Sequence, residues 1–337
     1  MEEDLILAKA ALISGGTVRV PKGYRIPVRM SRSTAGPGAG DRSVVFSFDG
    51  MRIKKSISSE NGEFDFDPDE GTITRDGEII AKSVSIIPVA FHCPEQAFFN
   101  LEQRCRFDCL FCSSPLIERD ITRSVDGERI ASMIRESKEP IRSIALTSGI
   151  HDTVEDSVRN MIDCVSILRK EFPQLPIGVE PYVDDRSQID DLFLAGATEI
   201  KINVETATDE LFRTFCPKLD RDVIFDMLAH AVGVFGKGKV ASNLIVGLGE
   251  NDDDVEAMIG RLCSMGVAPC IRGLKINDYV REALRGKGIT RSPSPQRLIA
   301  IADLQKTLME EYGLDSRTFD TMCLRCTCCD LVPFIDL

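Results

Sequence analysis

Between residues 43 and 89 the chain alternates apolar and polar positions in short runs: S-V-V-F-S-F-D-G, M-R-I-K-K-S-I-S, G-E-F-D-F, G-T-I-T-R-D-G-E-I-I and S-V-S-I-I-P-V. A period of two, with D-G, N-G and D-G pairs between the runs, predicts antiparallel strands joined by tight turns. Ahead of them a helical start, M-E-E-D-L-I-L-A-K-A-A-L, passes into a stretch too rich in Gly, Pro and Ser for regular structure. Its A-G-P-G-A-G segment is only superficially like a phosphate cradle, because no Gly-Lys-Ser/Thr follows and no strand immediately precedes it. It reads as a plain loop, and residues 1–92 are expected to form a small antiparallel β-rich extension.

From about residue 95 the period changes. Short apolar runs at 97–101, 143–147, 177–181, 199–204, 241–247 and 270–276 alternate with amphipathic helical patterns, among them 156–171, 187–195, 221–235 and 253–265. Strict alternation of this kind predicts an α/β fold with a parallel sheet and right-handed crossovers. A closed barrel needs eight such units and the pattern supplies about six, so residues 93–290 are expected to form a partial TIM-type barrel. Its chemistry should sit at the C-terminal ends of the strands. Residues 291–337 follow as a helix near 295–312 and an irregular Cys-rich tail.

Charge narrows the function. The 53 acidic residues exceed the 41 Lys and Arg by 12, which argues against a phosphate-binding nucleic-acid surface. No apolar run approaches the roughly 20 residues that span a bilayer, and the start of the chain is acidic, so the expected location is the cytoplasm. In that compartment 12 cysteines are not a disulfide framework. Cys164, Cys216, Cys263 and Cys270 stand apart and read as buried core thiols. Cys105, Cys109 and Cys112 are spaced C-x3-C-x2-C just after the first predicted strand. Cys323, Cys326, Cys328 and Cys329 crowd the tail, and Cys93 is left a little upstream of the first group.

Three thiolates in a loop can hold three irons of a [4Fe–4S] cube and leave the fourth iron open. A structural zinc site would want a fourth Cys or His at finger spacing, and His92 and Cys93 precede the strand by several residues. At the tail a second iron–sulfur cluster, a zinc knot and a redox-active or disordered segment all stay open.

The C-x3-C-x2-C group, with Phe111 before its last cysteine, is similar to the signature of the radical S-adenosylmethionine superfamily. The resemblance implies a [4Fe–4S] cluster whose open iron binds S-adenosyl-L-methionine, giving a 5′-deoxyadenosyl radical for C–H activation. I-K-I-N-V-E-T resembles the ribose-binding segment of biotin and lipoyl synthases, which nominates Asn203 and Glu205. N-L-I-V-G-L-G-E resembles the I-x-G-x-x-E motif, which nominates Ile245, Gly247 and Glu250, although Glu250 could equally serve the next helix N-terminus. L-T-S-G at 146–149 departs from the family's Gly-Gly-Glu-type segment and is closer to lipoyl synthases. Glu180 and Arg272 are polar groups at barrel-mouth positions that also fit solvated strand ends.

The resemblance covers roughly residues 95–290 and is nearest to the biotin and lipoyl synthase branch, including the split lipoyl synthases of archaea. It implies an anaerobic enzyme with an auxiliary cluster at Cys323, Cys326, Cys328 and Cys329, inserting sulfur into a C–H bond. It also implies a ferredoxin or flavodoxin as electron donor, with an acylated carrier protein and a partner radical enzyme as further partners. The alternatives are a rearrangement, dehydrogenation or metal-cofactor maturation with a lasting second cluster, and a non-catalytic zinc-bound scaffold.

Overall fold

The computed structural model describes residues 2–28, 30–32, 42–116 and 125–337, and the A-G-P-G-A-G segment lies outside them. Six strands, Gln96–Asn100, Ser143–Thr147, Ile177–Glu180, Glu199–Lys201, Val240–Val246 and Ala268–Gly273, pair in parallel and in sequence order. Helices Gly127–Arg135, Val154–Glu171, Arg186–Ala195, Arg221–Phe235 and Asp252–Ser264 connect them, as parallel pairing requires. The result is a partial barrel with the first and sixth strands as its edges. Side chains mark where each helix begins: Asp126, Thr153, Asp185, Asp220 and Asn251 each accept an N–H of the first turn. Val158, Met161, Val165 and Leu168 give the longest crossover helix its buried stripe.

The N-terminal sheet follows the period-two pattern. Arg42–Phe48 and Met51–Ser58 form a hairpin, Phe64–Asp67, Thr72–Arg75 and Glu78–Ala81 pair in succession, and Ser85–Ile87 returns to Arg42–Phe48. All of these pairs are antiparallel. The expectation of a purely antiparallel extension fails at Val18–Arg19, which lies between Met51–Ser58 and Phe64–Asp67 and runs parallel to both. This short strand comes straight from helix Glu2–Ser14 rather than from a hairpin, so no tight turn dictates its direction. Among the described residues no helix is long and apolar enough to cross a membrane.

The tail, expected to be irregular, holds one short helix and is packed into the fold. After helix Pro295–Glu311 the chain turns onto the inner face of the parallel sheet, forms a short helix Met322–Cys326, and is largely buried. A buried segment without a ladder of its own needs other partners for its backbone. Glu199 accepts the Asp320 and Thr321 N–H groups at 2.8 and 2.9 Å, and Gln96 accepts the Met322 N–H at 2.5 Å. The Lys54 N–H donates to the Cys328 carbonyl at 2.8 Å, and buried Lys9 binds the Thr327 carbonyl at 2.7 Å and Asp336 at 2.6 Å. Gly178 on the third strand leaves the space: a Cβ there would stand 2.1 Å from Thr321 Oγ1.

Gly178→Val should therefore push the tail off the sheet. Overpacking of this kind costs about 1–3 kcal/mol, to be read from urea unfolding. Maleimide labelling of Cys326 and Cys328 should speed up at the same time. Unchanged stability with unchanged labelling would place the tail elsewhere.

Candidate functional site

The first cysteine loop is built at the C-terminal end of the first strand and pinned to its neighbours. Leu101 donates to the Thr147 carbonyl at 2.8 Å, Arg106 to Ile150 at 2.8 Å, and Leu110 to Phe215 at 2.9 Å. Gly149 of the L-T-S-G segment donates to the Glu102 carbonyl at 2.7 Å, and a Cβ there would meet the Arg104 carbonyl at 2.5 Å. That segment thus supports the cysteine loop from beneath, while its Thr147 faces a cavity. Cys105, Cys109 and Cys112 are partly exposed. Cys216 is a buried core thiol, as expected, and its proximity to Cys109 raises the Cys109 pKa. Burial pushes Cys112 up to about 12.

The cavity holds about 270 Å³ and lies inside the open barrel. From the first loop come Phe111 and Cys112, and from the strand ends come Thr147, Glu180, Lys201, Glu205, Asn243 and Ile245. The tail adds Cys323, Cys326, Cys328, Cys329 and Asp330 to the lining. Of the first three cysteines only Cys112 borders this space, while Cys105 and Cys109 lie outside its lining. Cys270 is a buried thiol of the sixth strand, where burial followed by the Cys323 sulfur raises its pKa.

The ionisable groups inside are paired rather than solvated, which corrects the solvated-strand-end alternative for Glu180 and Arg272. Glu180 accepts from Lys201 at 3.0 Å and from Asn203 Nδ2 at 2.9 Å. Arg272 pairs with Asp330 at 2.9 Å and donates to Cys323, and Lys201 reaches Cys323 Sγ at 3.1 Å. Glu205 has left-handed backbone with φ 62°, and its N–H and carbonyl bond to Asn243 and Ile245 of the fifth strand. Burial, reinforced by Glu180, raises its carboxyl to about 7. In the tail, hydrogen bonds from Cys328 and Cys93 hold the Cys326 thiol well below its ordinary range, and both donors are pushed upward in return.

Four nominated residues border or reach this cavity: Phe111, Glu205 and Ile245 directly, and Asn203 through Glu180. Gly247 and Glu250 lie beyond its lining. Glu250 accepts the Gly247 and Leu248 N–H groups at 2.6 and 2.9 Å and pairs with Arg297 at 3.1 Å, while Asn251 caps the next helix. Gly247 has φ 106°, and a Cβ there would stand 2.9 Å from Pro293. The pair fixes a turn against helix Pro295–Glu311. Asn243 and Lys201 were not singled out from the sequence, where the available signal was polar residues within strands that should read apolar on both faces; Lys275, just past the sixth strand, carried no such signal.

The donor set fits iron–sulfur and nucleoside-type ligands. Sulfur donors beside Lys201 and Arg272 suit a buried anionic cluster, since thiolates are soft ligands and the cations offset their charge. Asn243 Oδ1 is buried without a partner among the described residues, an acceptor that a ligand amine or hydroxyl would satisfy. Among the described residues, no three His, Cys, Asp or Glu side chains gather as a single metal ion would require. A second cavity of about 540 Å³ adjoins the first through Lys275 and Asn277 and carries Lys54, Lys55, Arg281 and Arg291 on its wall. Burial lowers Lys275 to about 8.

Residues 100–262 match the family model described as the Radical SAM superfamily. Lipoyl synthase of Thioalkalivibrio sulfidiphilus is 25% identical over 214 residues, covering 61% of this chain and 64% of its own length. Lipoyl synthase of Chlamydia abortus is 25% identical over 224 residues, covering 64% and 70%. The match therefore spans less than two thirds of the first relative. Among solved structures, methylornithine synthase is 16% identical with a TM-score of 0.47, covering 66% of this chain and 70% of that one. Coproporphyrinogen III oxidase of Escherichia coli is 16% identical with a TM-score of 0.46, covering 66% and 54%.

The raised Glu205 carboxyl sets a pH dependence. An unfolded Glu titrates near about 4.3 and the folded one near about 7, so the fold favours the protonated form. Its contribution to stability is full below the unfolded value and is lost as pH rises through the folded one. Glu205→Gln should remove that decline, seen as a gap between wild-type and variant urea midpoints that widens from pH 5 to 8. Parallel curves would show that Glu205 is solvated and ordinary.

Proposed function

We propose that this chain, whose residues 100–262 match the Radical SAM superfamily model, is a radical S-adenosylmethionine enzyme that inserts sulfur into an unactivated C–H bond, with an octanoyl group on a carrier protein as its first candidate substrate. The observation that carries this reading is that Cys112 of the first set and all four tail thiols line one cavity. Cys105, Cys109 and Cys112 would hold a [4Fe–4S] cube with an open iron, and Cys323, Cys326, Cys328 and Cys329 a second iron–sulfur cluster. When bound, the first cube and S-adenosylmethionine supply hydrogen abstraction and the second cluster supplies sulfur, chemistry that belongs to the cofactors rather than to side chains.

The chain's own residues hold and orient. Asn203, Glu205 and Asn243 would receive the hydroxyl and amino groups of S-adenosylmethionine, and Ile245 and Phe111 would pack on its flat and apolar parts. Gly247 and Glu250 would act at one remove, fixing the turn that positions Ile245. Glu180, held by Lys201 and Asn203, keeps the cavity wall rigid. Phe98, Leu274 and Met322 leave an apolar side for an acyl chain. The Lys- and Arg-lined second cavity supports a substrate that arrives with negative charge, as on a carrier arm. The similarity to lipoyl synthases supports the same substrate class, and a cytoplasmic ferredoxin or flavodoxin would be the reductant.

Replacing any one of Cys105, Cys109 and Cys112 by Ala should abolish 5′-deoxyadenosine formation in a folded protein. Cys326→Ala/Cys329→Ala should still form it but add no sulfur to an octanoylated carrier, followed by mass spectrometry. The wild type should stop after about one product per chain, because a cube donating sulfide is destroyed. Hundreds of turnovers with iron retained would instead support a lasting second cluster and remove sulfur insertion.

A further inference from the structure

Cys93 stands outside both cysteine motifs, yet the fold brings it to the tail. It lies in the turn before the first strand, is 1% exposed, and packs with Cys326 and Cys328 among Val45 and Val89. Its sulfur does not face hydrocarbon alone: Gln96 Nε2 donates to it at 3.3 Å, and it lines the same cavity as the four tail thiols. Close by is Lys54, fully buried, whose ammonium binds the His92 carbonyl at 2.9 Å and lies 3.1 Å from His92 Nδ1. It has no carboxylate partner among the described residues; the anionic groups that can face it are Cys93, Cys326, Cys328 and Cys329. A buried ammonium amid thiols is a poor apolar core and a good counter-charge for thiolates bound to iron.

We propose that Cys93 is a ligand of the tail's iron–sulfur cluster, completing four thiolates with three of Cys323, Cys326, Cys328 and Cys329. The proposal rests on the second cluster of the preceding section and adds what that reading did not contain. The cluster is not a feature of the tail alone but a cross-link between the tail and the entrance to the first strand. A cube with four thiolates has no open iron, so the two clusters would be divided in role: only the first could take S-adenosylmethionine. Lys54, from the N-terminal sheet, would be the counter-ion, and its N–H already holds the Cys328 carbonyl.

The test compares wild type, Cys93→Ser, Cys326→Ala/Cys329→Ala and, as a control, Cys164→Ser in a helix of the barrel's outer layer. Each is purified without oxygen, reconstituted, checked by circular dichroism, and measured for iron, sulfide and the electron paramagnetic resonance of the reduced protein. Wild type and Cys164→Ser should hold about eight irons, as two cubes require. Cys93→Ser should fall toward about four, or keep its iron with a shifted resonance, while still cleaving S-adenosylmethionine. Cys93→Ala, with a small apolar side chain in the same pocket, replaces it if the hydroxyl is not tolerated. Iron and resonance identical to wild type in Cys93→Ser would overturn the proposal while the tail double variant still loses iron. If that double variant loses none, the second cluster itself fails, and Cys93 with it.

Discussion

The structure depends on a buried segment of chain whose backbone is completed by side chains of the sheet it lies against. Glu199 and Gln96 are charged and polar residues at the entry of parallel strands, positions where apolar side chains are the rule. Here they receive three N–H groups of residues 320–322. Gly178 supplies the room and Lys9 fixes the far end through Asp336. A closed eight-stranded barrel is filled by its own side chains, so an open six-stranded one can take a strap of foreign chain. That strap is why Cys112 and the tail cysteines, far apart in sequence, line one cavity.

Its electrostatics follow from the same packing. An acidic protein places Lys54, Lys201, Arg272 and Lys275 around the tail thiols and the cavity wall. Each buried cation needs an anion near it, and Glu180 and Asp330 supply two. The remaining positive charge faces sulfur. Such an arrangement offers counter-charge to an anionic group, and it makes the tail region hard to replace by apolar packing without removing its charges together.

The six parallel strands were legible because local periodicity is their own property: Ser143–Thr147 has the expected ends, and Gln96–Asn100 and Val240–Val246 begin one residue early. Helix Arg221–Phe235 has the expected bounds, between Asp220 at its cap and Gly236 at its end. The first cysteine loop was legible from spacing and from its place after a strand. The path of the tail was not, because its partners Lys9, Lys54, Gln96, Glu199 and Arg272 are distant in sequence and no local pattern pairs them. Cys93 was unassigned for the same reason. Glu250 shows the opposite case, where a motif resemblance was visible but the carboxylate is occupied by Gly247, Leu248 and Arg297.

The central claim is that Cys112 of the first loop and the tail cysteines border one cavity, which brings the two proposed cluster sites close together. The most direct measurement is the electron paramagnetic resonance of the fully reduced wild type, set against the sum of two single-cluster spectra. Those come from a variant lacking the first three cysteines and one lacking the tail cysteines. Two clusters bound at the proposed sites, which border one space of about 270 Å³, should couple, giving a spectrum broadened and split relative to the sum. A wild-type spectrum equal to that sum would mean the two clusters are far apart and would contradict the account.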